Sequence, residues 1–284
     1  MHKYTNGGKS FTKIFAISIY FGIFVFTLIQ YLPDLLDVIV PLNESRPSIL
    51  LHQAKYFNNQ EKYFCILLMH EVIGMFLCAT TGLAIETFSL SNALHAFGMF
   101  KVASYRMEHM LSVHISQIRV AKSYDSTIII CDKIIAAVDV HKRAIEFSDL
   151  LQKSLGLSYL FMILMSICTA AVSLFRIFRI ITMHQEELEL GKLIFYVCVI
   201  FIFLVIANFV GQEFINCDDQ VHRTICNSKW YNAPLKIQKF IFFLMRKTTK
   251  SYKVDAAGLF SPSLEGLART LSFLVSFLTL LCSV

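Results

Sequence analysis

The sequence contains little charge for its length. Only 16% of its 284 residues are charged, whereas a soluble domain usually carries about 25%. Hydrophobic residues make up 56%, with 26 phenylalanines against one tryptophan. A single soluble core of this size cannot hide so much apolar surface, so lipid is the expected solvent. No long basic tract with interleaved aromatics occurs, so nucleic acid is not an expected partner.

Patterns that carry catalysis or bind metals are also missing. The eight cysteines include no C-x-x-C pair, so neither a zinc site nor a thioredoxin-type redox site is predicted. His70-Glu71 begins like a zinc protease helix, but Gly74 stands where that motif needs its second histidine. The sequence therefore predicts no enzyme, no bound metal and no cofactor.

Five apolar stretches are long enough to cross a bilayer as helices. A spanning helix needs about 20 mainly apolar residues, because the hydrocarbon layer is about 30 Å thick. Backbone groups in lipid must also be paired within the segment, which favours helices. The five stretches are Ile14–Tyr31, Tyr63–Ile85, Leu155–Leu174, Leu193–Val210 and Leu264–Val284. We therefore predict an all-α, polytopic membrane bundle with cytoplasmic helical extensions.

Lysine and arginine are concentrated on one side of these spans. Residues 1–13, about 87–154 and about 211–263 hold most of them, and basic loops stay in the cytoplasm. This predicts a multi-pass plasma membrane protein with a cytoplasmic amino terminus and an extracellular carboxyl terminus. Asn43 lies in a glycosylation sequon within the first predicted outer loop, which agrees with that orientation.

The predicted cytoplasmic segment 89–153 has helical periodicity. Apolar residues recur at helical spacing through 130–145 while charged residues occupy the other faces, so we expect these helices to pack on one another or on sister subunits. Leu94, Phe97 and Phe100 indicate that the second span continues inward as a helix. Two functional regions are expected: 1–210, a ligand-binding type of helical bundle, and 211–284, a cytoplasmic anchor segment with a final pore-lining helix.

The last third of the chain carries a family resemblance. The residues concerned are Trp230-Tyr231, Pro234, Gln238-Lys239, Met245, Arg246, Lys250, Ala257-Gly258-Leu259-Phe260, Ser263-Leu264-Glu265 and Ser276-Phe277-Leu278-Thr279-Leu280-Leu281. This run resembles the segment before and within the final span of insect odorant receptors. His141-Lys142-Arg143-Ala144 is similar to the family's inner segment before its fifth span.

The resemblance implies a tuning subunit of a ligand-gated cation channel. Such a subunit assembles with a common olfactory co-receptor into a heterotetramer and binds a small volatile odorant. The five spans look like the third to seventh spans of the seven-span family. We therefore expect an amino-terminally truncated, partial or non-functional copy that gives no odour-evoked current.

Positions within the spans suggest the residues that such a receptor uses. The pocket would lie in the outer half of the bundle, where an apolar ligand is held by burial and dispersion. By depth, its candidates are Phe24, Leu28, Tyr31, Leu67, His70, Glu71, Gly74 and Tyr196. In the final span, Leu274, Val275 and Leu278 are candidates for an apolar pore constriction. Glu265 and Arg269, four residues apart, are expected to pair on one helical face.

Two alternatives remain open from the sequence. A gustatory-type receptor of the same superfamily would not need the olfactory co-receptor. A small multi-span transporter would show paired half-sequences and broken spans, and no such repeat is found.

Overall fold

The computed structural model describes residues 2–39, 64–110, 124–183, 187–250, 252 and 260–283. Six helices account for nearly all of them: α1 (His2–Ile39), α2 (Phe64–His109), α3 (Tyr124–Met183), α4 (Glu187–Asn227), α5 (Leu235–Thr248) and α6 (Leu264–Ser283). A 3-10 turn, Trp230–Asn232, connects α4 to α5. The predicted all-α class is confirmed.

Four of these helices are long and apolar enough to cross a membrane. Within the described residues the qualifying stretches are Gly8–Gln30, Cys65–His109, Cys131–Thr182 and Leu190–Asn227. They overlap the first two predicted spans and contain the third and fourth. The fifth predicted span corresponds to α6, whose 20 residues extend about 30 Å, the thickness of the hydrocarbon layer. The crossing by α6 stays a prediction.

The chain divides into two compact units, residues 1–94 and 95–284. The first holds α1 and the first part of α2. The second holds the end of α2 and all the later helices. The boundary predicted near residue 210 separates regions by their expected function. The two compact units are defined by contacts and do not test that boundary.

Extensions of the apolar helices build a packed bundle at one end of the second unit. α2 continues without interruption through Phe97 and Phe100, as predicted, and both side chains are buried. The Phe97 ring lies 4.7 Å from the Phe214 ring of α4, centroid to centroid. Ile134 of α3 is also fully buried. The Phe100 ring lies 5.7 Å from the His141 ring of α3, centroid to centroid, so the two amphipathic segments pack on one another as predicted. Their packing on sister subunits stays a prediction.

A buried polar cluster joins α3, α4 and the segment after α5 within this bundle. His141 Nε2 lies 2.8 Å from Asp218 Oδ1, and Asp218 Oδ2 accepts a 2.7 Å hydrogen bond from the backbone N–H of Tyr252. The Tyr252 hydroxyl in turn donates to Gln152 Oε1 at 3.1 Å. Burial, followed by the nearby Asp149 carboxylate, raises the pKa of the Tyr252 hydroxyl above its usual value of 10.0. Because buried polar groups are costly when unpaired, this cluster specifies how the three elements meet.

A second core lies where α3, α4 and α6 pack together. Each of these helices contacts the other two. The buried members of this core are Ile163, Ala170, Ala171, Ile200, Leu204 and Leu274. Small side chains on α3 let the neighbouring helices approach closely, which is how helices in lipid commonly associate. This core determines which face of α6 is turned inward.

Candidate functional site

Two polar contacts join α1 and α2 within the first unit. Gln30 Nε2 donates a 3.2 Å hydrogen bond to Glu71 Oε2, and the Tyr20 and Thr80 hydroxyls lie 3.1 Å apart. Tyr20 and Gln30 are separated by about 15 Å of helix, and Glu71 and Thr80 by a similar rise. The contacts therefore match an antiparallel pairing of the two helices, with Glu71 turned toward α1.

Gln30 is the residue that sequence reasoning missed in this region. Its side chain is only 2% exposed, and its other polar atom, Oε1, is buried without a hydrogen-bond partner among the described residues. A buried amide in an apolar span is costly unless it is paired. The available signal was that Gln30 is the single amide in the first predicted span.

The other predicted pocket residues are more exposed than Gln30. On α1, Phe24 and Leu28 are exposed. On α2, Leu67 is half-buried and His70 is exposed, while a Cβ added at Gly74 would meet nothing within 4 Å. Within this unit, Glu71 therefore contacts α1 through the hydrogen bond that it accepts from Gln30.

Three further predicted residues lie elsewhere. Tyr196 is on α4 in the second unit and is 48% exposed. Tyr31 lies in α1, but its side chain is outside the described part of the chain. The sequon at Asn43 is also outside the described residues.

The start of α6 is held by side chains of α4. The buried Asn208 amide oxygen accepts a 3.1 Å hydrogen bond from the backbone N–H of Ser263. One turn later, Gln212 Oε1 accepts one from the N–H of Leu264 at 3.3 Å. The Ser263 hydroxyl caps the helix itself by accepting from the N–H of Gly266 at 3.0 Å. Three of the amide groups that a helix start leaves unpaired are thereby satisfied.

Gly211 permits this close approach. An added Cβ there would lie 2.1 Å from the backbone oxygen of Pro262, well inside the contact distance. The segment that leads into α6 therefore rests directly on the backbone of α4. Asn208, Gly211 and Gln212 together form what we call the α4–α6 joint.

The two sides of α6 differ sharply in polarity. Leu274 and Thr270 face the core and are buried. On the opposite side, exposed polar residues recur at intervals of four and three along the whole helix. This polar stripe consists of Glu265, Arg269, Ser272, Ser276, Thr279 and Ser283. Such spacing keeps residues on one face of a helix, so the stripe runs the length of α6.

Side chains of the polar stripe make local hydrogen bonds. Arg269 pairs with Glu265, as predicted from their spacing, and both are largely exposed. The hydroxyls of Ser272 and Ser276 each donate to the carbonyl four residues earlier, at 2.9 Å. These bonds use the hydroxyl protons and leave the oxygen lone pairs available to water.

The three predicted pore residues are distributed around α6. Leu274 is 6% exposed within the core, whereas Val275 is 61% exposed. Leu278 is half-buried. Val275 therefore lies between the core face and the polar stripe. Leu274 and Leu278 lie on the side of α6 that faces α3 and α4.

A partly open cavity of about 310 Å³ lies behind α6, between it and helices α3 and α4. Its lining residues are Ala170 and Leu174 of α3, Val197, Ile200, Phe201 and Leu204 of α4, and Leu271, Leu274, Val275 and Leu278 of α6. Every one of these side chains is a hydrocarbon. The space is therefore suited to apolar contents and offers no side-chain hydrogen bond.

A family model described as 7tm Odorant receptor matches the chain over residues 3–275. That match begins near the start of α1 and ends about midway along α6. The chain belongs to the seven-transmembrane odorant receptor family. It is therefore an odorant receptor and a multi-pass membrane protein. This agrees with the resemblance found in the sequence and does not favour the gustatory-type or transporter alternatives.

Solved structures give the receptor the same fold. It is similar to the insect olfactory receptor OR5 from Machilis hrabei in complex with eugenol, with a TM-score of 0.66 and 12% identity. That alignment covers 100% of the receptor and 70% of the OR5 chain. A second OR5 structure from Machilis hrabei aligns with a TM-score of 0.62, 12% identity and coverages of 99% and 69%. None of the curated proteins compared with the receptor matches it.

Proposed function

We propose that the receptor is a tuning subunit of the kind of cation channel that a small volatile odorant opens. That this chain gives no odour-evoked current stays a prediction. The observation that carries the channel is the polar stripe on α6. A helix of membrane length that faced lipid on that side would place hydroxyls and a charged pair in hydrocarbon, where polar groups are costly. A water-filled pore between subunits solvates the same groups.

Val275 is the predicted pore residue that best suits a constriction. It is exposed beside the stripe, so neighbouring subunits can bring apolar residues of their own final helices toward it. A narrow ring of apolar side chains closes a pore by excluding water. Leu274 and Leu278 lie on the side of α6 that faces α3 and α4 and help to hold the helix there.

Cysteine accessibility tests the pore. With the receptor assembled with a co-receptor, Ser272→Cys and Ser276→Cys should react with a water-soluble cationic thiol reagent about ten-fold faster than Phe273→Cys, because thiolates form in water. Phe273 is a suitable control, since it is also exposed on α6 but lies off the stripe. The reaction of the parent chain gives the background from native cysteines. Equal rates at all three positions would refute a water-filled stripe.

The ligand site is proposed in the outer half of the bundle near Gln30 and Glu71. The buried amide and the carboxylate supply the few polar groups that orient a small, mostly apolar molecule. OR5 from Machilis hrabei was solved with eugenol, which serves as the probe. Eugenol should raise the thermal midpoint of the purified receptor, and Glu71→Ala should reduce this shift while Gly74→Ala preserves it. A Glu71→Ala variant with the full shift would contradict the site.

The membrane orientation follows from charge. We propose a cytoplasmic amino terminus and an extracellular carboxyl terminus, because the basic segments lie on one side of the spans. An epitope tag after Val284 should bind antibody on intact cells. Binding only after permeabilisation would reverse the topology.

The heterotetramer with a common olfactory co-receptor rests on the family alone. Co-expression followed by co-immunoprecipitation tests it directly. Recovery of the co-receptor supports the tuning-subunit role. Failure to recover it, with both proteins at the cell surface, would favour a receptor that acts without that partner.

A further inference from the structure

We propose that the apolar cavity behind α6 is a second binding site, for a free hydrocarbon of about ten carbon atoms. It lies on the opposite side of α6 from the polar stripe and is lined by α3, α4 and α6 of the second unit. The ligand region described above is carried by Gln30 and Glu71 of the first unit. The cavity is therefore a separate feature of the receptor.

The volume of the cavity sets the size of its ligand. Small-molecule pockets begin near 300 Å³, and this cavity measures about 310 Å³. An apolar cavity of about half that volume accepts benzene. By proportion, about ten to twelve carbon atoms fill the present space, which is the size of a monoterpene. A complete lipid acyl chain is longer than this.

The chemistry of the lining sets the class of ligand. Ile200, Leu204 and Leu274 form the buried wall, and Phe201 and Val275 are the exposed residues at its edge. No lining side chain can donate or accept a hydrogen bond. A hydroxyl group held against this lining finds no hydrogen-bond partner on the protein, which costs free energy. The site should therefore prefer a hydrocarbon over its alcohol, in contrast to the polar groups near Gln30.

Occupancy has a structural consequence for α6. An empty apolar space lacks dispersion contacts across it, so a ligand that fills it supplies them to all three helices. Four of the ten lining residues belong to α6. A bound hydrocarbon should therefore stabilise the packing of α6 against α3 and α4.

Binding can be measured on the purified receptor in phosphatidylcholine nanodiscs without any channel assay. Limonene should raise the thermal midpoint, and perillyl alcohol, which has the same skeleton with one hydroxyl, should need about ten-fold higher concentration or more for the same shift. Ala170→Phe fills the cavity and should abolish the limonene shift. Val172→Phe, on the exposed side of the same helix, is the matched control and should keep it.

A second cavity-filling variant and a labelling experiment complete the test. Val197→Phe fills the cavity from α4 and replaces Ala170→Phe if that variant does not fold. A diazirine analogue of limonene should label peptides containing 170–174, 197–204 and 271–278, and excess limonene should compete. Equal shifts in the filled and control variants would overturn the proposal. Labelling of these peptides by a photoreactive phosphatidylcholine acyl chain that limonene cannot displace would overturn it too, by assigning the space to lipid.

Failure of this site is distinguishable from failure of the channel proposal. The hydrocarbon assays report binding to one chain, whereas cysteine accessibility on α6 reports water on its opposite face.

Discussion

Replacing Gly211 with alanine tests whether the α4–α6 joint holds the final helix in place. The substitution adds one methyl group at the point where the backbone of α4 meets Pro262. Gly191, on the same helix, provides a matched control, because an added Cβ there meets nothing within 4 Å.

The magnitude follows from two opposing effects. Alanine is favoured over glycine inside a helix by about 1 kcal/mol, and this gain applies at both positions. At Gly211, however, the new Cβ would lie 2.1 Å from the Pro262 oxygen, where ordinary contact begins at 3.4 Å. The segment before α6 must therefore move by more than an ångström. A movement of that size breaks the 3.1 Å hydrogen bond from Ser263 to Asn208.

Overpacking of this kind typically costs about 1–3 kcal/mol, and an orphaned buried amide costs a similar amount. After the gain in helix propensity, Gly211→Ala should lower the free energy of unfolding by about 1–5 kcal/mol. Gly191→Ala should leave it unchanged or raise it by up to about 1 kcal/mol.

Chemical unfolding of the purified variants in one detergent measures the difference. Hydrogen exchange at the Ser263 amide provides a local readout, which should accelerate in Gly211→Ala alone. If Gly211→Ala proved as stable as Gly191→Ala, with a protected Ser263 amide, the close approach between α4 and Pro262 would be wrong.

Three further predictions concern buried polar groups. Asn208→Leu should cost about 1–3 kcal/mol in chemical unfolding, because it orphans the Ser263 amide. Gln220→Leu, at an exposed position of α4, should cost little, and equal costs would contradict the joint. His141→Leu should cost about 1–3 kcal/mol, because it leaves the buried Asp218 carboxylate with only its bond from the Tyr252 N–H. Lys142→Leu removes an exposed pair worth below about 0.5 kcal/mol. Since burial raises the pKa of Tyr252 above 10.0, the folded state retains a proton that the unfolded state releases, so stability should fall as the pH rises past 10. Tyr252→Phe should flatten that alkaline slope in pH-dependent unfolding, and an unchanged slope would show that other groups cause it.

Much of the fold could be predicted from the sequence because apolar runs and helical periodicity are local signals. The continuation of α2 through Phe97 and Phe100 and the pairing of Glu265 with Arg269 depend on residues within a few turns of one another. The all-helical class follows from the same local rules, since lipid requires each span to satisfy its own backbone.

Contacts between distant segments could not be predicted in this way. The bond from Gln30 to Glu71 depends on how two helices align 41 residues apart, and Asn208 reaches Ser263 across 55 residues. Neither spacing nor composition determines such registers. Gln30 was visible as an amide in an apolar span, but its partner was not.

The pore prediction shows a different limit. The prediction depends on the apolar character of Leu274, Val275 and Leu278. The sequence does not reveal which side of α6 meets α3 and α4. The polar stripe was present in the spacing of Ser272, Ser276 and Thr279. Its importance becomes clear once Leu274 is seen to face the core.

α3 runs unbroken for 60 residues, about 90 Å, and therefore links the apolar cavity at Ala170 to the buried His141–Asp218 pair as a single rod. Ala170 and His141 lie about 44 Å apart along this rod, so a tilt of about 3° at Ala170 displaces His141 by about 2 Å. Small adjustments in side-chain packing around Ala170 are thus mechanically amplified at the far end of the helix. The bundle around His141 is consequently a place where minor rearrangements near Ala170 can be detected, for example by distance labels.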